Sequence, residues 1–155
     1  MKKKKLIACI AAIAMVGSLF VGCGAQSTNG SGDASKKQIK AGLATDEGGL
    51  NDKSFNQSAD KGLKKAVKEL GIEYKPIESK GKESYVQNLQ LLSKDFDADL
   101  TFGVGYQMKK ATEDVAGQYK DKNFAIIDAE INMPNVQSLL FKEQEGSFLV
   151  GDRKS

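Results

Sequence analysis

The chain has 155 residues, with 23 basic and 20 acidic side chains, two cysteines and no histidine. The missing histidine removes the usual general base and the commonest metal ligand together, so a hydrolase built on histidine is excluded. The composition calls for neither cofactor nor metal.

The first residues read MKKKKLIACIAAIAMVGSLFVGCGAQ. Lysines, an apolar run of about 16 residues and then small residues before Cys23 are the layout of a secretion signal, and the run is too short for a membrane span. Residues 19–23, LFVGC, resemble a bacterial lipobox, which implies cleavage after residue 22 and a lipid on the new N-terminal Cys23. The alternative is an ordinary cleaved signal in which Cys23 is incidental. Cys9 leaves with the signal, so no disulfide framework remains, and a lipidated Cys23 offers no thiolate. Lys2, Lys3, Lys4 and Lys5 leave too, and 19 basic against 20 acidic side chains give a net charge of −1 in place of the formal +3. Nothing in that balance asks for nucleic acid as a partner. Residues 23–38 are rich in glycine, serine and asparagine without apolar periodicity, the composition of a flexible tether. The expected location is the outer side of the cytoplasmic membrane, held by lipid.

Residues 39–45, IKAGLAT, read as a buried strand. Phe55, Ala59, Gly62, Leu63, Ala66, Val67 and Leu70 recur at helical spacing, and Gly71 stops the helix. Residues 72–79 read as a strand that Pro76 confines to an edge. Next come a helix over 84–96 bearing Tyr85, Leu89, Leu92 and Phe96, a strand over 98–105, a helix over 107–119 and an apolar strand over 124–128. A fifth strand over 136–142 and a helix opening at 143 follow. Strands alternating with helices across short connections predict an α/β fold, a parallel sheet with helices on both faces. The residues after Gly151, DRKS, supply no partner for Phe148 and Leu149, so residues 39–155 are read as a truncated lobe.

In open parallel sheets ligands bind beyond the carboxyl ends of the strands. Asp46 follows the first strand, Gly105 and Tyr106 the third, Asp128 closes the fourth, and residues 141–145 follow the fifth. The richest of these turns is ATDEGGLNDKSFNQS, residues 44–58. Gly48 and Gly49 permit positive φ and close approach to a ligand. Ser54 with Gln57 matches a capping box that starts the helix at Phe55. Ser54 as cap, Asn51 and Asp52 as turn formers and Phe55 as core make up the plain structural alternative. The stretch matches neither G-x-x-x-x-G-K-[ST] nor G-x-G-x-x-G, and its carboxylates disfavour phosphate. Carboxylates do accept hydrogen bonds from vicinal hydroxyls, and a flat ring stacks on a flat heterocycle; together these suit a nucleoside.

Three stretches, DEGGLNDKSFNQSADKG, FGVGYQMKKATEDVAGQYKDKNFAIID and PNVQSLLFKEQEGSFLVG, resemble the basic membrane protein family of bacterial lipoproteins, which includes purine nucleoside receptors of ABC importers. The resemblance covers about residues 39–151. It implies one lobe of a type I periplasmic-binding-protein fold, with the ligand held between two lobes and passed to a membrane permease. By that resemblance Phe55 stacks on the base, Asp46 is a polar contact, Ser54 and Asn56 border the base, and Asp128 faces the ribose or the hinge. Gly105 and Tyr106 carry over less directly, and Phe141 is either packing or contact. Asp60 departs from the family pattern, on a helix face expected to point away from the cleft. The second lobe and its opposing ring are missing from these residues.

The expected role is therefore a monomeric solute-binding lipoprotein, not an enzyme. A lipoprotein sensor or adhesin using the same lobe is the alternative. An enzyme on a flavodoxin-like sheet would have only carboxylates to work with.

Overall fold

The structure is a computed structural model that describes residues 37–152; the signal, Cys23 and the tether up to residue 36 lie outside the described residues. β1 (Lys40–Ala44) is buried after its first residue, as a strand covered on both faces must be. It pairs in parallel with β2 (Glu73–Ile77) on one side and β3 (Leu100–Val104) on the other. β4 (Asn123–Ile127) and β5 (Val136–Leu139) extend the sheet, giving the order β2-β1-β3-β4-β5. Pro76 sits opposite Leu43 on an outermost strand, where a missing N–H is tolerated.

The chain steps from β1 outward to β2, then reverses past β1 to β3 and onward. Right-handed crossovers therefore put α1 (Phe55–Leu70) on one face, and α2 (Tyr85–Gln90) with α3 (Lys109–Gln118) on the other. The α2–α3 face holds the main core, with Leu89, Leu92, Met108, Val115, Phe124 and Ile126 almost fully buried. Gly42 and Gly103 let these helices approach the sheet: a Cβ at Gly42 would lie 2.9 Å from the Leu92 Cβ, and one at Gly103 2.9 Å from the Thr112 Oγ1.

Three local features differ from the sequence reading. The helix expected over 84–96 is a 3-10 turn (Lys82–Ser84), α2, and then a π turn (Leu91–Asp95) closed by the Phe96 N–H on the Leu91 carbonyl at 2.9 Å. α1 ends at Gly71 as its sequence dictates, with φ 68°, yet its fully buried residues are the polar Asn56 and Asp60 rather than the apolar stripe. Asp60 turns in toward β2, accepting from the Tyr74 hydroxyl (2.9 Å) and from Lys64 (2.7 Å). The stripe lies only half-covered, and Ala59, Gly62 and Leu63 border a shallow hollow of about 200 Å³ with Phe102 and Ile127.

β5 ends at Leu139, short of residue 142. Its partner among the described residues, β4, stops at Ile127, because Asp128 takes φ 63° and turns the chain out of the sheet after its N–H bonds the Leu139 carbonyl (2.9 Å). α4 (Glu143–Asp152) follows, exposed at every residue whose side chain is described. Among the described residues no helix is long and apolar enough to cross a membrane.

Candidate functional site

Carboxylates, more than the serine singled out in the sequence, organise the turn after β1. Asp52 Oδ1 accepts from the backbone N–H of Ser54 (2.8 Å) and Gln57 (3.0 Å), and its Oδ2 from that of Asn56 (3.1 Å). α1 starts at Phe55, but the Ser54 side chain makes no cap bond. The capping-box expectation is thus corrected. A carboxylate offers two oxygens to three orphan amides and carries negative charge to the positive end of the helix, which one hydroxyl cannot match. Burial opposes charge on Asp52, yet these hydrogen bonds outweigh it and hold the carboxyl below its ordinary range.

Asp46 leaves the carboxyl end of β1, where its Oδ1 accepts from the Gly48 N–H (2.9 Å) and from Asn56 Nδ2 (2.7 Å). Asn56 Nδ2 also reaches Asp52 Oδ2 at 3.0 Å. Asn56 is only 2% exposed, so it bridges two acids from beneath the turn. Its Oδ1 has no protein partner among the described residues.

Gly105, past the end of β3, adopts φ 89° and donates its N–H to the Ile127 carbonyl (2.9 Å). A Cβ there would lie 3.0 Å from Asp46 Oδ2, so both backbone and space require glycine. Asp46 and Gly105 therefore meet between β1 and β3, where the strand order reverses and ligands bind in folds of this topology.

Phe55 stands on the first turn of α1 with 38% of its surface exposed. Its ring centroid lies 5.7 Å from that of Phe141, tilted by 42°, so the loop after β5 brings a second ring to the first. Ser54 beside it and Tyr106 beyond Gly105 are exposed. Asp128 sits at the end of β4, its carboxyl raised above the ordinary range by burial and by neighbouring Glu143. Among the described residues no group of three or more acids or cysteines is placed to hold a metal.

Two participants, Asp52 as cap and Glu78, escape the sequence reading, and the contact of Glu143 with Asp128 is not foreseen although the sequence places residues 141–145 at the strand ends. Asp52 is legible only as a turn former, although its spacing ahead of Phe55 fits a cap. Glu78 follows β2 and accepts from the Leu50 N–H at 2.7 Å, fastening the turn from across the sheet; no local pattern announces it. Glu143 reaches Asp128 only through the short β5.

The family model described as "ABC transporter substrate-binding protein PnrA-like" matches residues 39–152. The chain belongs to this family. It is 34% identical to the "ABC transporter nucleoside-binding protein BmpA" of Lactococcus lactis, over 96% of this chain and 44% of that protein. An ABC transporter solute-binding protein from Aeropyrum pernix K1 superposes with TM-score 0.68 at 34% identity, over 73% of this chain and 31% of that one. A crystallised fragment from Peptoclostridium difficile 630 superposes with TM-score 0.61 at 29% identity, over 74% of this chain and 94% of the fragment. Several curated relatives are named lipoproteins. The chain spans less than half the length of the curated relatives it matches. The family is one of substrate-binding proteins serving ABC transporters, and its α/β lobe is the one described above.

Proposed function

We propose that this lobe supplies one wall of a nucleoside site, purine nucleosides favoured, in the receptor of an ABC importer. The observation carrying this reading is an exposed ring, Phe55, at the start of α1, in the same turn whose carboxylate, Asp46, is held by the Gly48 N–H and by Asn56 at the strand reversal. The ring stacks on the base, and Asp46 accepts from ligand hydroxyls or base N–H groups. Ser54 borders the base, Asp128 faces the ribose or hinge side, and the Gly105–Tyr106 turn lines the same edge. Asn56 acts from below as a positioning residue, because both bonds seen from its amide nitrogen go to Asp46 and Asp52. The Lactococcus relative, named for nucleoside binding, supports the ligand class.

In the complete receptor a second lobe closes over this wall and the pair delivers ligand to a membrane permease. Residues 1–22 serve as the signal, Cys23 carries the lipid, residues 23–38 form the tether, and residues 39–155 are the N-terminal lobe. The protein then stands on the outer face of the cytoplasmic membrane.

Calorimetry with inosine, adenosine, guanosine and cytidine, on this lobe joined to a second lobe, tests the ligand class. Stacking contributes about 1–3 kcal/mol per base, so Phe55→Ala should weaken the tightest nucleoside by roughly tenfold or more. Equal affinity in wild type and Phe55→Ala would remove the ring from the site. No binding of any nucleoside would transfer the lobe to a sensor or surface-interaction role.

A further inference from the structure

Three polar side chains are buried at the carboxyl end of the sheet. Thr45, directly after β1, is 0% exposed, Ser79, past the end of β2, is 3% exposed, and Asn88 on α2 is 8% exposed. They form one chain of hydrogen bonds. Asn88 Nδ2 donates to the Ser79 hydroxyl (2.9 Å), the Ser79 N–H donates to the Thr45 hydroxyl (3.3 Å), and the Thr45 hydroxyl donates to the Asp46 carbonyl (2.9 Å). The donors all point one way, from the helix to the residue at the strand reversal, and bonds aligned in this sense polarise one another in a low-dielectric interior.

A buried polar chain is a costly filling for a core, since its members give up water for bonds of small net gain. What it supplies is direction. The Thr45 N–H bonds the Ile77 carbonyl at 3.1 Å, so its backbone is fixed by the sheet and its hydroxyl has a fixed origin. The Asp46 carbonyl accepts from that hydroxyl and from the Gly49 N–H (3.3 Å), which leaves its peptide group little freedom to rotate. The same peptide group sets the direction in which the Asp46 side chain leaves the backbone. Asp46 Oδ1 is taken by the Gly48 N–H and Asn56, whereas Oδ2 accepts no hydrogen bond among the described residues and lies beside Gly105.

We infer that Thr45, backed by Ser79 and Asn88, is a positioning residue of the ligand site: its hydroxyl fixes the Asp46 peptide group so that Oδ2 is the oxygen offered to a ligand donor. This rests on the reading of Asp46 as a ligand contact. It adds to the site three residues that are themselves buried and act only through Asp46.

Calorimetry on the lobe joined to a second lobe, with whichever of inosine, adenosine, guanosine and cytidine binds tightest, tests it as a double-mutant cycle. Thr45→Val keeps the shape and removes the hydroxyl, and it should weaken binding about fivefold or more; Thr45→Ser keeps the hydroxyl and should stay within about twofold of wild type. In the Asp46→Ala background Thr45→Val should change affinity by no more than about twofold, because no carboxylate is left to aim. Circular dichroism checks that each variant is folded. Should Thr45→Val not fold, Ser79→Ala takes its place in the cycle: it unties Asn88 and keeps the N–H donor to Thr45, and a loss of about threefold that vanishes in the Asp46→Ala background is expected. A loss of equal size with and without the Asp46 carboxylate is general loosening of the lobe and overturns the inference. Asp46→Ala weakening binding while Thr45→Val binds like wild type overturns the inference alone. No binding of any nucleoside, or affinity unchanged by Asp46→Ala, removes the ligand reading of Asp46 and the inference with it.

Discussion

Asn56 places one amide nitrogen between two carboxylates, and that shared donor keeps Asp46 and Asp52 in the same turn despite their like charge. Asn56→Ala removes a buried donor from both acids and should cost about 1–3 kcal/mol, read from urea denaturation. Asp52→Ala should cost about 1–2 kcal/mol through loss of the cap, whereas Ser54→Ala should change stability by no more than about 0.5 kcal/mol. The reverse ranking would restore the serine as cap. The pH dependence of Asp52 and of Asp128 runs in opposite senses. Asp52 has a depressed folded pKa, so its stabilising contribution is present above the unfolded carboxyl value near 3.9 and is lost as pH falls through the folded value. The deficit of Asp52→Ala should therefore be largest at neutral pH and shrink in acid. Asp128 has a raised folded pKa, so its contribution is complete below about 3.9 and is lost as pH rises through the folded value. Asp128→Asn, which keeps a residue tolerant of φ 63°, should raise the thermal midpoint at pH 7 and lose that advantage by about pH 4.

At the scale of elements, the alternation of strands and helices was legible because each strand is a short apolar run bounded by turn residues. β1 and β4 show it plainly, as does the edge placement that Pro76 forces on β2. The illegible parts depend on partners distant in sequence. Asp60 is polar and yet buried, because Tyr74 on β2 and Lys64 satisfy it. β5 looked longer than it is, because its length is set by where β4 turns away at Asp128. The π turn after α2 has no marker in its residues. Of the candidate site, the positions of Asp46 and Gly105 beyond strand ends and of Phe55 at the start of α1 were legible from strand and turn chemistry, whereas the contact of Glu78 was not, since it exists only once β2 lies beside β1. One element-level contact is tested directly. Gly42→Ala would push a Cβ to 2.9 Å from the Leu92 Cβ, and the resulting shift of α2 from β1 should cost about 1–3 kcal/mol in chemical denaturation.

The chain spans less than half the length of its curated relatives, and the described residues form one α/β lobe. A one-sided site leaves water in contact with every polar group, so the lobe alone should bind nucleoside orders of magnitude more weakly than the lobe joined to a second one, as calorimetry on both would show. The tie from Glu78 to the Leu50 amide has a consequence measured in time rather than in contacts. The outermost strand of the sheet clamps the glycine turn, so the turn meets its ligand already shaped and little chain freedom is lost on capture. Glu78→Ala touches none of the residues assigned to the ligand, yet it should speed hydrogen exchange at the Leu50 amide and slow association, leaving the stacked ring where it was.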